Sequence, residues 1–299
     1  MQNKFNPYLV CLLDVLGFES RFKNSGLGNI LEKYLNLIKI VDYSSYISQK
    51  FFGQIDFKEG AYWTKEREPF IINKINGVYA SDSVLLFANA NFSENRYPAA
   101  LNTTKEQREN LSKEPGKGWM FHPIPCDRFL DACNEVICFS IEIGLPLRGA
   151  LSSGEAVLNL EHGIFLGQPL IDAARMEHHQ NCIGASFIDT FMFAVIPKRY
   201  QLPFNAHFKR KVPVNYSGFV LDWPRHWRNT RKNDPKEIIA SLNTHPEFSL
   251  YYENTIDIIE ASDAIKHLYE EPKDTAITKV YPQFSSDLLE LGIATGMDK

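Results

Sequence analysis

The sequence predicts an α+β fold with a largely antiparallel sheet, because short apolar runs alternate with longer segments of helical period. Positions 8–14 are apolar almost without a break until Asp14, as in a buried strand. The segment PFIINKINGVYASDSVLLFA (69–88) reads as two strands joined by a tight turn near Ser81 and Asp82. Between these, Leu27, Ile30, Leu31, Tyr34, Leu37, Ile38 and Val41 keep a helical spacing, which predicts an amphipathic helix over 26–48.

The remaining elements follow in turn. DRFLDACNEVICFSIEIG (127–144) places Phe129, Ala132, Cys133, Val136, Ile137 and Ile141 on one helical face. LRGALSSGEAVL (147–158) is strand-like, PLIDAARMEHHQ (169–180) helical, and IGASFI (183–188) a further strand. Residues 89–123 turn polar and carry KEPGKG and HPIP, so they read as an insertion outside the core. The organisation expected is a region 1–224 holding that insertion, followed by a helical C-terminal extension over 225–299 packed on the core. Within the extension, PKEIIASLN and an acid-rich stretch around 251–271 are the expected helices.

At 299 residues, with 44% hydrophobic and 23% charged residues, the chain is long enough to bury its own core. A net charge of -4 argues against a general nucleic-acid binder but leaves room for a local basic patch, such as Lys209, Arg210 and Lys211. The five cysteines form no CxxC pair and suit small buried hydrophobes in a reduced compartment. The first apolar run is too short for a signal peptide and is broken by Asp14, and no window reaches the length of a membrane span. A cytoplasmic protein without membrane partners is expected.

An aspartate at the end of an apolar strand is costly unless its charge is compensated. If the first strand pairs with the 69–88 hairpin, Asp14 and Asp82 emerge from the same end of the sheet. Two such carboxylates repel unless a cation lies between them, and all-oxygen ligands suit Mg²⁺ or Mn²⁺. A pair of divalent ions held in this way serves phosphoryl transfer.

Four strings resemble, in the same order, elements of the class III nucleotide cyclases: DVLGF, SDSVLLF, PLRGALSSGEAVL and GQPLIDAARMEH. The resemblance covers residues 8–190 and more loosely extends to about 222. It implies a nucleotidyl-cyclase-like, ferredoxin-like core that works as a homodimer, with two divalent cations held by Asp14, Asp82 and the backbone carbonyl of Val15. Arg175 matches the arginine that reaches the phosphates of the opposite subunit's site. Lys211, with Lys209 beside it, lies nearest the family's phosphate-binding lysine; Arg148 is read as structural or interfacial, with a possible place near the phosphates. The family's catalytic asparagine falls on Ile171, a departure that Asp172 could repair only by a shift of helical register.

The base-reading positions fall on Val78 and Ile164, neither of which can hydrogen-bond a purine edge. With the 89–123 insertion and the helical tail, this resembles the bacterial antiphage pyrimidine cyclases, in which a homodimer converts UTP or CTP to the 3′,5′-cyclic monophosphate. Tyr79, Ser81 and Tyr46 are candidate polar contacts to the base. An adenylyl or guanylyl cyclase with a rearranged pocket and a non-catalytic nucleotide-binding dimer stay open as alternatives. His162, His178 and His179 lack the partners of a zinc site.

Overall fold

The computed structural model of the protein describes residues 6–54, 75–89, 97–98, 119–120, 124–191, 198–204, 208–209, 211–242 and 246–269. The expected insertion (89–123) lies outside the described residues except for Asn89 and two short paired strands, β4 (Tyr97–Pro98) and β5 (Trp119–Met120). Arg210 and residues 270–299 also lie outside.

The fold is mixed α+β. β1 (Asn6–Val15) pairs antiparallel with β3 (Ser83–Asn89) on one side and with β6 (Leu147–Asn159) on the other, while β2 (Asn76–Ala80) pairs with the outer edge of β3. Beyond β6 come β8 (Gly184–Ile188), parallel to it, then β10 (Tyr216–Leu221) and β9 (Gln201–Pro203), giving the order β2-β3-β1-β6-β8-β10-β9. β7 (Ile164–Gly167) folds back on the far end of β6. The apolar run expected at 8–14 is therefore central, covered on both faces, which is why it shows almost no alternation.

β1 and β6 lie unusually close at Gly149, where a Cβ would stand 1.9 Å from the Leu12 carbonyl oxygen. Only glycine permits that approach. It brings Arg148 into register with Asp14.

Helices cover both faces of the sheet. α1 (Phe18–Gln54) includes the expected 26–48 segment and adds a first piece ahead of it, the two being separated by Gly26 with φ 73° and ψ 161°. Ile30, Leu37 and Ile40 of α1 share one core with Leu9, Cys11, Leu13 and Val15 of β1 and with α2 (Ile124–Glu142). On the opposite face, Ala173 and Met176 of α3 (Gln168–His179) pack with Ala150, Ile188 and Leu12.

α2 is buried on every side from Phe129 to Ile141, not on one stripe as its apolar period alone suggests. The second side is closed by α4 (Trp223–Thr230), α5 (Pro235–Leu242) and α6 (Ser249–Ala264), whose Trp223, Trp227, Ile239, Tyr252 and Ile259 join the same core. Charged groups meet within that interface: His226 Nε2 lies 2.8 Å from Glu135 Oε2, and Arg231 pairs with Glu135 and, at 3.1 Å, with Glu142. Cys11, Cys133, Cys138 and Cys182 are buried free thiols, in keeping with their expected role. Among the described residues no helix is long and apolar enough to cross a membrane.

Candidate functional site

The β2–β3 turn consists of Ser81 and Asp82, and Ser81 adopts a left-handed φ of 59°. Tyr34 of α1 donates its hydroxyl to the Ser81 carbonyl, and the Val15 amide donates to the Asp82 carbonyl at 3.0 Å. Asp14 stands opposite Ser83 in the ladder. The structure thus brings Asp14, Val15 and Asp82 to one end of adjacent strands. On β1, Asp14 alternates with the core-facing Leu13 and Val15 and so falls on the α3 side of the sheet.

Arg148 and Glu177, the latter missed by sequence reasoning, complete the electrostatics. Arg148, directly across the ladder on β6, puts Nη2 3.7 Å from Asp14 Oδ2 and 2.6 Å from Glu177 Oε1. The Glu177 contact is short but poorly aligned as a hydrogen bond, so it is a contact ion pair. Glu177 follows Ala173 by one helical turn and so sits on the sheet-facing side of α3; that spacing was the available signal. Arg148 is buried and committed to protein partners, which makes it an internal counter-charge in place of a phosphate contact.

One arginine therefore faces two carboxylates, Asp14 and Glu177, with Asp82 acting on Asp14 from the turn. Burial, followed by the charges of Glu177 and Asp82, pushes the Asp14 carboxyl up to about 7, against the opposing pull of Arg148 and a hydrogen bond from Ser83. The same surplus of negative charge reaches Tyr34, whose hydroxyl is raised by burial and then by Asp82 and Asp14.

Further from the carboxylates, Arg148 Nη1 donates to the Gln180 carbonyl at 3.2 Å and to the Tyr251 hydroxyl at 3.1 Å. The Tyr251 ring faces Arg148 at 5.4 Å and Lys209 Nζ at 5.8 Å from its centroid. Lys209 is exposed and is tied to α3 by its amide, which donates to the His179 carbonyl at 2.8 Å. Lys209 thus belongs to the neighbourhood of Arg148, while Lys211 is exposed on the segment leading to β10. Tyr251, on α6, had no sequence signal linking it to Asp14.

The other expected residues are dispersed. Arg175 is exposed on α3, on the face it shares with Ile171 and His178 and away from the sheet. Asp172 accepts a hydrogen bond from Gln168 at 2.8 Å. Val78 packs in an apolar cluster with Val10, Leu85, Phe87, Phe165 and Leu170; Ile164, adjacent to Phe165, lies on the exposed side of β7. The Tyr79 hydroxyl is directed to the Leu37 carbonyl at 2.7 Å, and the Tyr46 side chain lies outside the described ones.

Among the described residues no group of three or more His, Cys, Asp or Glu side chains is disposed as a metal cluster. Asp14, Asp82 and the Val15 carbonyl are a smaller, all-oxygen set of the kind that could hold a hard divalent cation. Burial and then the charges of Glu177 and Asp82 raise the Asp14 carboxyl, and added positive charge at this end of the sheet would oppose both. Neither protein-family models, nor curated proteins, nor solved structures gave a match to the chain.

Proposed function

We propose that the protein is a metal-dependent pyrimidine nucleotide cyclase, cytoplasmic and homodimeric, which converts UTP or CTP to the 3′,5′-cyclic monophosphate and pyrophosphate as a second messenger in antiphage defence. The observation that carries the reading is the surplus of carboxylate where β1 meets the β2–β3 turn, with the Asp14 carboxyl raised to about 7. The strand order β2-β3-β1-β6, with α1 and α2 as crossovers, supports a ferredoxin-like, nucleotidyl-cyclase-like core.

Asp14, Asp82 and the Val15 carbonyl would hold two divalent cations, Mg²⁺ or Mn²⁺. Bound there, the cations would supply activation of the ribose 3′-hydroxyl and neutralise charge on the triphosphate. The 3′-oxygen then bonds to the α-phosphorus as the bond to the β-phosphate breaks, and pyrophosphate leaves. Lys211, with Lys209 beside it, would meet the departing phosphates, and the position of Lys209 against the Tyr251 ring that also faces Arg148 supports that role.

Arg175 serves the opposite subunit's site, and its outward position on α3 supports that role. Ile164 at 40%, Leu166 at 65% and Ile171 at 46% exposure leave an apolar surface beside it, suited to a second copy of the chain. The apolar surroundings of Val78 support selection against purines by shape in place of hydrogen bonding. Ile171 itself, exposed where the family carries a catalytic asparagine, favours a second reading, a nucleotide-binding dimer without turnover.

The test is to incubate the purified protein with equimolar ATP, GTP, UTP and CTP and Mn²⁺ and to separate the products by chromatography. Cyclic UMP or cyclic CMP is the expected major product. Cyclic AMP or cyclic GMP as the major product would overturn the pyrimidine assignment alone, and no cyclic product would favour the non-catalytic dimer.

A further inference from the structure

The separation of 3.7 Å between Arg148 and Asp14 is long even for an ion pair and too long for a hydrogen bond. An unrestrained guanidinium beside a carboxylate closes to a forked, hydrogen-bonded pair. Here three groups hold it back: Glu177 at 2.6 Å, the Gln180 carbonyl at 3.2 Å and the Tyr251 hydroxyl at 3.1 Å. Gln180 is clamped in turn, since its side-chain amide donates to the Cys182 and Gly184 carbonyls and its Oε1 accepts from Ser186.

Tyr251 is held just as firmly, although it comes from the far end of the chain. Near it on α6, Thr255 accepts from the Ile183 amide at 3.0 Å and Asn254 donates to the Asn181 carbonyl at 2.9 Å. Just before α6, the Phe248 ring lies over Gly17, where a Cβ would come within 2.8 Å of it. The start of α6 is thereby fixed between the end of β1 and the start of β8.

We propose that Tyr251 is a positioning residue for the cation site: acting through Arg148, it keeps an Asp14 carboxylate oxygen available to a divalent cation. This rests on the assignment of Asp14 as a cation ligand. The hydroxyl accepts from Nη1 and the guanidinium carbon lies over the ring at 5.4 Å from its centroid, so both parts of the side chain restrain the same group. Released from Tyr251, Arg148 would pivot onto Asp14 and compete with the cation directly. The C-terminal helices then form part of the site, beyond their role of covering α2.

The experiment is calorimetric titration of Mn²⁺ into the full-length wild-type chain, Tyr251→Phe, Arg148→Met and the double variant, with thermal unfolding run on each. Tyr251→Phe should weaken Mn²⁺ binding about three- to tenfold, and in the Arg148→Met background the same change should alter it by less than about twofold. An equal loss in both backgrounds, or wild-type affinity in Tyr251→Phe, overturns the proposal. A wild-type chain that binds no Mn²⁺ overturns the Asp14 assignment itself, and the proposal with it. Should Arg148→Met fail to fold, Arg148→Lys takes its place, because an ammonium cannot make the forked pair and the coupling should shrink likewise.

Discussion

Two groups of buried charges in this protein are balanced in opposite ways. Between α2 and α4, burial drives the Glu135 carboxyl upward, but Arg231 and His226 overcome it and bring the group down to about 2. At the end of β1, burial drives Asp14 upward as well, and there Glu177 and Asp82 add to it, so the group reaches about 7. Both regions contain an arginine. The difference lies in geometry: Arg231 is in direct contact with Glu135, whereas Arg148 is in contact with Glu177 and 3.7 Å from Asp14. Burial alone therefore does not set the direction of a carboxyl's shift; the charges in contact with it do.

Breaking the balanced group should have the largest effect. Arg231→Met strands Glu135 and Glu142 in the core and should cost about 3–5 kcal/mol, measured by urea unfolding. A loss below about 1 kcal/mol would mean that the interface tolerates uncompensated charge. The Glu135 contribution also fixes a pH window. Its folded value near 2 lies below the ordinary 4.5, so its stabilisation is present above 4.5 and is lost as pH falls toward 2.

Relieving the unbalanced group should act in the opposite direction. The folded Asp14 value of about 7 lies above the ordinary 3.8, so the metal-free protein loses stability as pH rises from 4 to 7 and holds level beyond. Asp14→Asn should thus unfold like wild type at pH 4 but be more stable by about 1–3 kcal/mol at pH 8, with turnover abolished. A variant less stable than wild type at pH 8 would show that Arg148 compensates Asp14 after all.

A smaller effect is expected at the turn that carries Asp82. Ser81 holds a left-handed φ, which costs an L-residue about 1–2 kcal/mol, part of it offset because glycine gains freedom in the unfolded chain. Ser81→Gly should raise stability by about 0.5 kcal/mol in urea unfolding and leave Mn²⁺-dependent turnover within about twofold of wild type. A destabilised Ser81→Gly would mean that the serine side chain supports the turn.

How much of this could be read from the sequence depended on the range of the interactions. β1, the β2–β3 hairpin, α3 and the placing of Asp14 near Asp82 follow from apolar runs and turn residues close together in the chain. Glu177 could have been found as well, because it recurs at helical spacing with Ala173. The all-round burial of α2 could not: its apolar period marks one face only, and Asp131, Asn134, Glu135 and Ser140 are buried because the distant Trp223, Trp227 and Ile239 close over the other. Tyr251 lies 103 residues from Arg148, and nothing in the intervening pattern shows that α6 begins beside the end of β1.

On the proposed reading, Asp14 is left short of positive charge, which a divalent cation bound with Asp82 would supply. This claim is tested most directly by the unfolding temperature at pH 8 with and without saturating Mn²⁺, for wild type, Asp14→Asn and Asp82→Asn. Wild type should gain about 5–10 °C on adding Mn²⁺. Both variants should gain nothing, while metal-free Asp14→Asn should already unfold above metal-free wild type. An equal gain in all three proteins would contradict the claim, as it would place Mn²⁺ binding at a site to which neither aspartate contributes.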